Sequence, residues 1–143
     1  MRTRRDFVKT AGAAAVAVAA PAIQKVRAAN DQVQYGFIGT GSRGQYLLQH
    51  INQTDRGRCV AVCDVYEPNL SKGAQIAATN PKTFKDYREL LSQKDVDCVY
   101  IATPLFLHFP VTRDALLAGK HVFCEKSLVF KPEEVHALRQ LVA

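Results

Sequence analysis

"YGFIGTGSRGQYLL", residues 35–48, sets Gly39, Gly41 and Gly44 between a short apolar run and a stretch with helical spacing. Glycine inside a strand or helix costs roughly 0.5–1 kcal/mol relative to alanine. Three in six positions therefore mark a place where the backbone does something a side chain would forbid. The spacing reads G-x-G-x-x-G. Six-residue patterns arise by chance, so its meaning depends on what stands on either side.

Outward from the glycines, two kinds of segment alternate. Residues 33–39 read as a strand and 43–53 as a helix, with Leu47, Leu48 and Ile51 on one side. Residues 58–64 ("RCVAVCD") form a second strand, and 67–78 a helix with Pro68 in its first turn, where proline is tolerated. "KTF" (82–84) is a brief third strand, 86–93 a short helix, and 97–103 a fourth strand. A helix over 108–120 stops at Gly119; 121–125 is the fifth strand and 131–142 the last helix. The strands are nearly continuous apolar runs, as expected where both faces of a parallel sheet are covered. This alternation predicts a doubly wound α/β fold with right-handed crossovers and strand order 3-2-1-4-5.

The glycines then fall at the first βα turn. There Gly39 allows a tight turn, Gly41 lets a phosphate approach the backbone, and Gly44 lets helix and strand pack closely. A pyrophosphate on the helix N-terminus meets unpaired N–H groups and the positive end of the helix dipole. Asp64 ends the second strand, 20 residues after Gly44, where a carboxylate accepts hydrogen bonds from an adenosine ribose. A carboxylate there repels a 2′-phosphate, which favours NAD over NADP. Arg43 keeps NADP open, because a nearby guanidinium serves a phosphate. The competing reading is a glycine-rich turn in an α/β domain that binds no nucleotide.

A second constellation lies in "IATPLFLHFPVTRDALLAGKHVFCEKSL", residues 101–128. Thr103 and Pro104 follow the fourth strand, and Glu125 and Lys126 follow the fifth. Both pairs fall at the carboxyl ends of strands, where such sheets bind ligands. His108 opens the intervening helix, whose N-terminus disfavours a protonated imidazole, so a neutral ring is expected. On sequence alone His108 also reads as a surface or capping histidine, and Lys126 as a solvated lysine.

Composition bounds the rest. The 143 residues suffice for one domain with its own core, and 48% apolar with 22% charged residues is ordinary for a globular protein. Residues 1–28 hold six Lys/Arg against Asp6 alone, which is +5 of the net +6. The basic character is thus local, and no nucleic-acid footprint is expected. That segment has a basic start, a short apolar run over 11–20 and small residues at its end, the form of an export peptide. Arg4-Arg5 followed by Phe7 and Lys9 resembles a twin-arginine signal. The expectation is export to the periplasm by the twin-arginine machinery, with residues 29–143 as the mature domain. A basic amphipathic helix is the alternative. The apolar run is too short for a stable membrane span. Cys59, Cys63, Cys98 and Cys124 lie in strand-like runs, where a free thiol behaves as a small hydrophobe. No disulfide and no metal site are expected.

Taken together, "GFIGTGSRG", "AVCDVYEPNL", "DYRELLSQKDVDCVYIATP", His108, "ALLAGKHVFCEK" and "PEEVHALRQLV" resemble the glucose–fructose oxidoreductase / inositol dehydrogenase (Gfo/Idh/MocA) family over residues 33–142. The resemblance implies an N-terminal Rossmann domain followed by a C-terminal α/β domain with an open sheet. It implies that Gly39, Gly41 and Gly44, with Ser42 and Arg43, line the pyrophosphate, and that Asp64 holds the adenosine ribose. Thr103, Pro104 and His108 would border the nicotinamide. Glu125 and Lys126 match the first two residues of the family's Glu-Lys-Pro motif, whose lysine contacts nicotinamide ribose and substrate; Lys126 and His108 are the catalytic candidates. Ser127 replaces the proline, and because a cis bond before a non-proline costs about 2.5–4 kcal/mol, a trans 126–127 peptide is expected. The chain stops before the sixth Rossmann strand and the second domain, so a truncated product, inactive alone, is expected. The implied activity is nicotinamide-dependent oxidation or reduction of a sugar or polyol. The alternatives are an NAD-retaining glycoside hydrolase of the same family and a non-catalytic dinucleotide-binding fragment. A homo-oligomer is possible for the full-length protein.

Overall fold

A computed structural model describes residues 32–142. The expected export signal lies outside the described residues. The five strands are β1 (Val33–Ile38), β2 (Gly57–Cys63), β3 (Lys82–Phe84), β4 (Cys98–Ile101) and β5 (His121–Cys124). They form one sheet in the order β3-β2-β1-β4-β5, every pairing parallel. The helices are α1 (Ser42–Ile51), α2 (Glu67–Ala77), α3 (Tyr87–Leu91), α4 (His108–Leu117) and α5 (Pro132–Val142). A 3₁₀ turn over Leu105–Leu107 leads into α4.

Two cores explain why the strands read as unbroken apolar runs. Tyr35 and Phe37 of β1 pack with Leu48 of α1 and Leu70 of α2. Ile38 faces the other way, toward Leu90 of α3 and Val111 of α4. In β2 the register against β1 slips by one residue: Tyr35 lies opposite Cys59, but Gly36 lies opposite Ala61. The slip lets Cys59 and Ala61, two apart in sequence, enter opposite cores. All four cysteines are free, and burial pushes the thiols of Cys59 and Cys63 up to about 12.

Local chemistry ends the helices where the sequence suggests. Asp86 caps α3, its side chain accepting from the Arg88 N–H at 2.9 Å. Gly119 follows α4 at φ +71°. Lys120 reaches back to the segment after α3, donating to the carbonyls of Gln93 (2.7 Å) and Val96 (2.9 Å). The sheet's two margins differ. Lys82 on β3 pairs with Asp95 at 3.2 Å. β5 has no strand on its outer side among the described residues, and Phe123 is half exposed there.

Candidate dinucleotide site

The site runs along the carboxyl ends of the strands, beginning at the glycine turn. Gly39 has φ +90°, and a Cβ there would stand 2.7 Å from the Ala102 carbonyl carbon and 2.8 Å from Thr103 N. The turn out of β1 is therefore pressed against the end of β4. A Cβ on Gly44 would collide with the Gly39 carbonyl oxygen. Those two glycines are demanded by the fold. Gly41 is different: its φ is −67°, open to any residue, and a Cβ would meet nothing closer than Asn69 Nδ2 at 3.8 Å. Gly41 is also the N-cap of α1, which has no side-chain cap and no acid in its first turn. The fold leaves both the space above Gly41 and the positive helix end for something else.

Asp64 is bound into this turn. Its Oδ2 accepts from the Thr40 N–H at 2.8 Å, and its Oδ1 from the Tyr66 N–H at 2.9 Å. The Thr40 hydroxyl donates to the Asn69 carbonyl at 2.9 Å. Each carboxylate oxygen keeps a lone pair for a further donor. Thr40, fully buried, and Asn69 went unremarked in the sequence reading. Their signals were the middle residue of G-x-G and the first turn of the helix after Asp64.

Across the sheet, Arg43 donates to Glu125 Oε1 at 2.7 Å and lies 5.3 Å from the Tyr46 ring centroid. The Arg43 guanidinium, foremost by this hydrogen bond, holds the Glu125 carboxyl below the usual carboxylate range. Arg43 thus reaches toward β5, whereas Asp64 lies at the end of β2, three strand positions away. The sequence reading set Arg43 against Asp64 in choosing the cofactor; the geometry puts them at opposite ends of the turn.

His108 is 1% exposed. Its Nε2 lies 2.9 Å from the Thr103 carbonyl and its Nδ1 2.9 Å from the Ser127 carbonyl. Both partners only accept, while a neutral imidazole donates from one nitrogen. Which of the two nitrogens donates is set by the ring's tautomer. Thr103 Oγ1 is buried and has no hydrogen-bond partner among the described residues. Ser42, Pro104 and Lys126 are exposed. The Lys126–Ser127 peptide is cis, not trans as expected; nothing in the sequence marks it. No group of three or more His, Cys, Asp or Glu is placed to hold a metal ion, and no helix is long and apolar enough to cross a membrane, among the described residues.

The open cradle over Gly41, the uncapped helix end, the Asp64 carboxylate at the end of β2 and the unpartnered Thr103 hydroxyl line one edge of the parallel sheet. Residues 33–143 match the oxidoreductase family Gfo/Idh/MocA, NAD-binding Rossmann fold, and the chain belongs to that family. Its members include NAD(P)-dependent oxidoreductases. A glycosyl hydrolase family 109 protein of Shewanella amazonensis is 33% identical over 135 residues, covering 89% of this chain and 28% of that protein. Myo-inositol dehydrogenase from Lactobacillus casei, solved with NAD(H) and myo-inositol, superposes with TM-score 0.69 at 25% identity, over 78% of this chain and 33% of that one. The 3-ketoreductase KijD10 from Actinomadura kijaniata, solved with NADP, gives TM-score 0.71 at 24% identity, over 78% and 35%, and shows the shared fold. The chain therefore spans about a third or less of the length of these proteins.

Proposed function

We propose that this chain is the cofactor-binding portion of an exported nicotinamide-dependent oxidoreductase that acts on a C–OH group of a sugar or polyol and holds its NAD tightly. The observation that carries the reading is the cradle over Gly41: the fold does not require a glycine there, and a pyrophosphate does. Gly39, Gly41, Ser42 and Gly44 would hold the pyrophosphate, and Asp64 the adenosine ribose. Thr103 and Pro104 would border the nicotinamide, where the free Thr103 hydroxyl needs a partner. The bound cofactor supplies hydride acceptance and return. Lys126, exposed at the end of β5, would position the substrate hydroxyl and assist its deprotonation. Glu125 would hold Arg43 over the turn. Export through the twin-arginine machinery fits a cofactor held before transport, because that route carries folded cargo.

Titration of the chain with NAD and NADP tests the cofactor reading. Tighter NAD binding, with the difference narrowed by Asp64→Ala, supports it; no binding of either overturns it. A second reading has its own support in the family 109 hydrolase names among the relatives. There the oxidation is transient and the net reaction is cleavage of a glycosidic bond. Release of a free sugar from a glycoside by the full-length protein, with no net change in NAD, identifies the hydrolase. Export is tested by Arg4→Lys with Arg5→Lys; the periplasmic signal should vanish.

A further inference from the structure

We propose that His108 is a positioning residue that fixes the backbone carrying Lys126, its Nδ1 donating to the Ser127 carbonyl. The inference rests on reading Lys126 as the residue that meets the substrate. His108 stands at the start of α4 with almost no exposed surface. Its Nε2 meets the Thr103 carbonyl, just past β4, and its Nδ1 meets the Ser127 carbonyl, just past β5, each at 2.9 Å. One ring thus ties together the two segments that leave adjacent strands of the sheet. Ser127 directly follows Lys126, so the tie holds the lysine's main chain while its side chain stays exposed. The same segment is held a second time, through Glu125 and Arg43 at 2.7 Å. Lys126 is therefore flanked on both sides by residues anchored to other elements, Glu125 to α1 and Ser127 to α4.

This arrangement assigns His108 a task other than touching substrate. Both of its nitrogens are occupied, and its ring lies below the surface. Both neighbours are carbonyls, so the nitrogen that carries the ring proton is the one that donates, and holding Ser127 requires that proton on Nδ1. The titratable groups on the segments carrying its acceptors are Cys124, Glu125 and Lys126, the Glu125 carboxyl facing Arg43 from α1. On α4 itself, Arg113 and Asp114 are paired with each other at 2.8 Å.

The test is spectroscopic and independent of cofactor. In the 143-residue chain labelled with ¹⁵N and ¹³C, couplings across hydrogen bonds are measured at pH 6 between the His108 ring nitrogens and carbonyl carbons. A coupling from Nδ1 to the Ser127 carbonyl is expected. No coupling to the Ser127 carbonyl overturns the tie. In His108→Asn, which keeps a single donor group, amide exchange over residues 126–128 should quicken about tenfold while residues 39–44 keep their rates. Unchanged exchange over 126–128 would also overturn the proposal. Should that variant fail to fold, the wild-type couplings decide alone. Failure of NAD to bind would remove the functional reading and leave both measurements standing as tests of the tie.

Discussion

The two halves of the sheet's carboxyl edge are built on different plans. In the β1–β2 half, polar groups answer one another inside the protein: Asp64 accepts from the Thr40 and Tyr66 N–H groups, and Thr40 donates to Asn69. In the β4–β5 half, Thr103 Oγ1 is buried without a partner and Lys126 projects outward. In the first half the side chains are fixed by hydrogen bonds within the turn, while the α1 end over Gly41 stays open. The second is held through His108 at the Ser127 carbonyl and through Arg43 at the Glu125 carboxylate, while the Thr103 hydroxyl and the Lys126 side chain are left over. A binding half gains from rigidity before the ligand arrives; a reacting half needs its side chains uncommitted until then.

The contrast breaks most visibly at Gly44. Gly44→Ala drives a methyl group into the Gly39 carbonyl and to 3.2 Å from Phe37. A loss of about 3 kcal/mol, the upper range for overpacking, is expected in urea denaturation. A loss below 1 kcal/mol would show that the turn can move aside.

Lys126→Ala should do the reverse. In the full-length protein, turnover should fall about 100-fold, the lower range for a lost acid–base group. Its denaturation midpoint and NAD affinity should stay near wild type. A fall in NAD affinity matching the fall in turnover would erase the distinction between the halves.

Gly41→Ala sharpens the comparison within the first half. The fold has room for the methyl group, so stability should drop by less than about 1 kcal/mol, the difference between Gly and Ala at an N-cap. NAD binding by calorimetry should weaken by about tenfold or more, as the cradle fills. Equal effects at positions 41 and 44 would mean that the fold demands both glycines alike.

The smallest effect belongs to Arg43→Gln. The Glu125 carboxyl, lowered chiefly by its bond to Arg43, contributes stability that is present above the unfolded carboxylate range and lost as pH falls through the lowered value. Removing Arg43 should flatten that part of the acid limb. The gain near neutrality is small, because the Arg43 side chain is 55% exposed. A thermal-melt series from pH 3 to 7 reads the change.

The first half was the more legible in sequence, and the reason is chain distance. Gly39, Gly41 and Gly44 lie within one turn, and Asp64 follows at the interval that one βαβ unit imposes. Strand positions and order also followed from local runs, because parallel strands buried on both faces need no information about partners. The pairing of Arg43 with Glu125 spans 82 residues, and nothing near either residue announces it. His108 was legible as a helix-opening residue, but its second carbonyl belongs to Ser127, 19 residues on. The register slip between β1 and β2 was hidden because Cys59, Val60 and Ala61 are all apolar, so no polar residue marks the change of face.

The unequal margins of the sheet bear on how the chain behaves in a tube. At one rim Lys82 carries charge beside the last strand, and a strand from another molecule would have to strip that charge of water to add on. At the other rim, among the described residues, β5 has no strand on its outer side and Phe123 stands half exposed, with no lysine between the strand's first and last residues. Association between crowded chains is therefore expected to begin at the β5 rim, as size-exclusion chromatography at rising concentration would read. Association that begins at a single rim closes in pairs, so the first visible sign of overloading a solution of this chain should be a doubled particle, with larger assemblies requiring further unfolding.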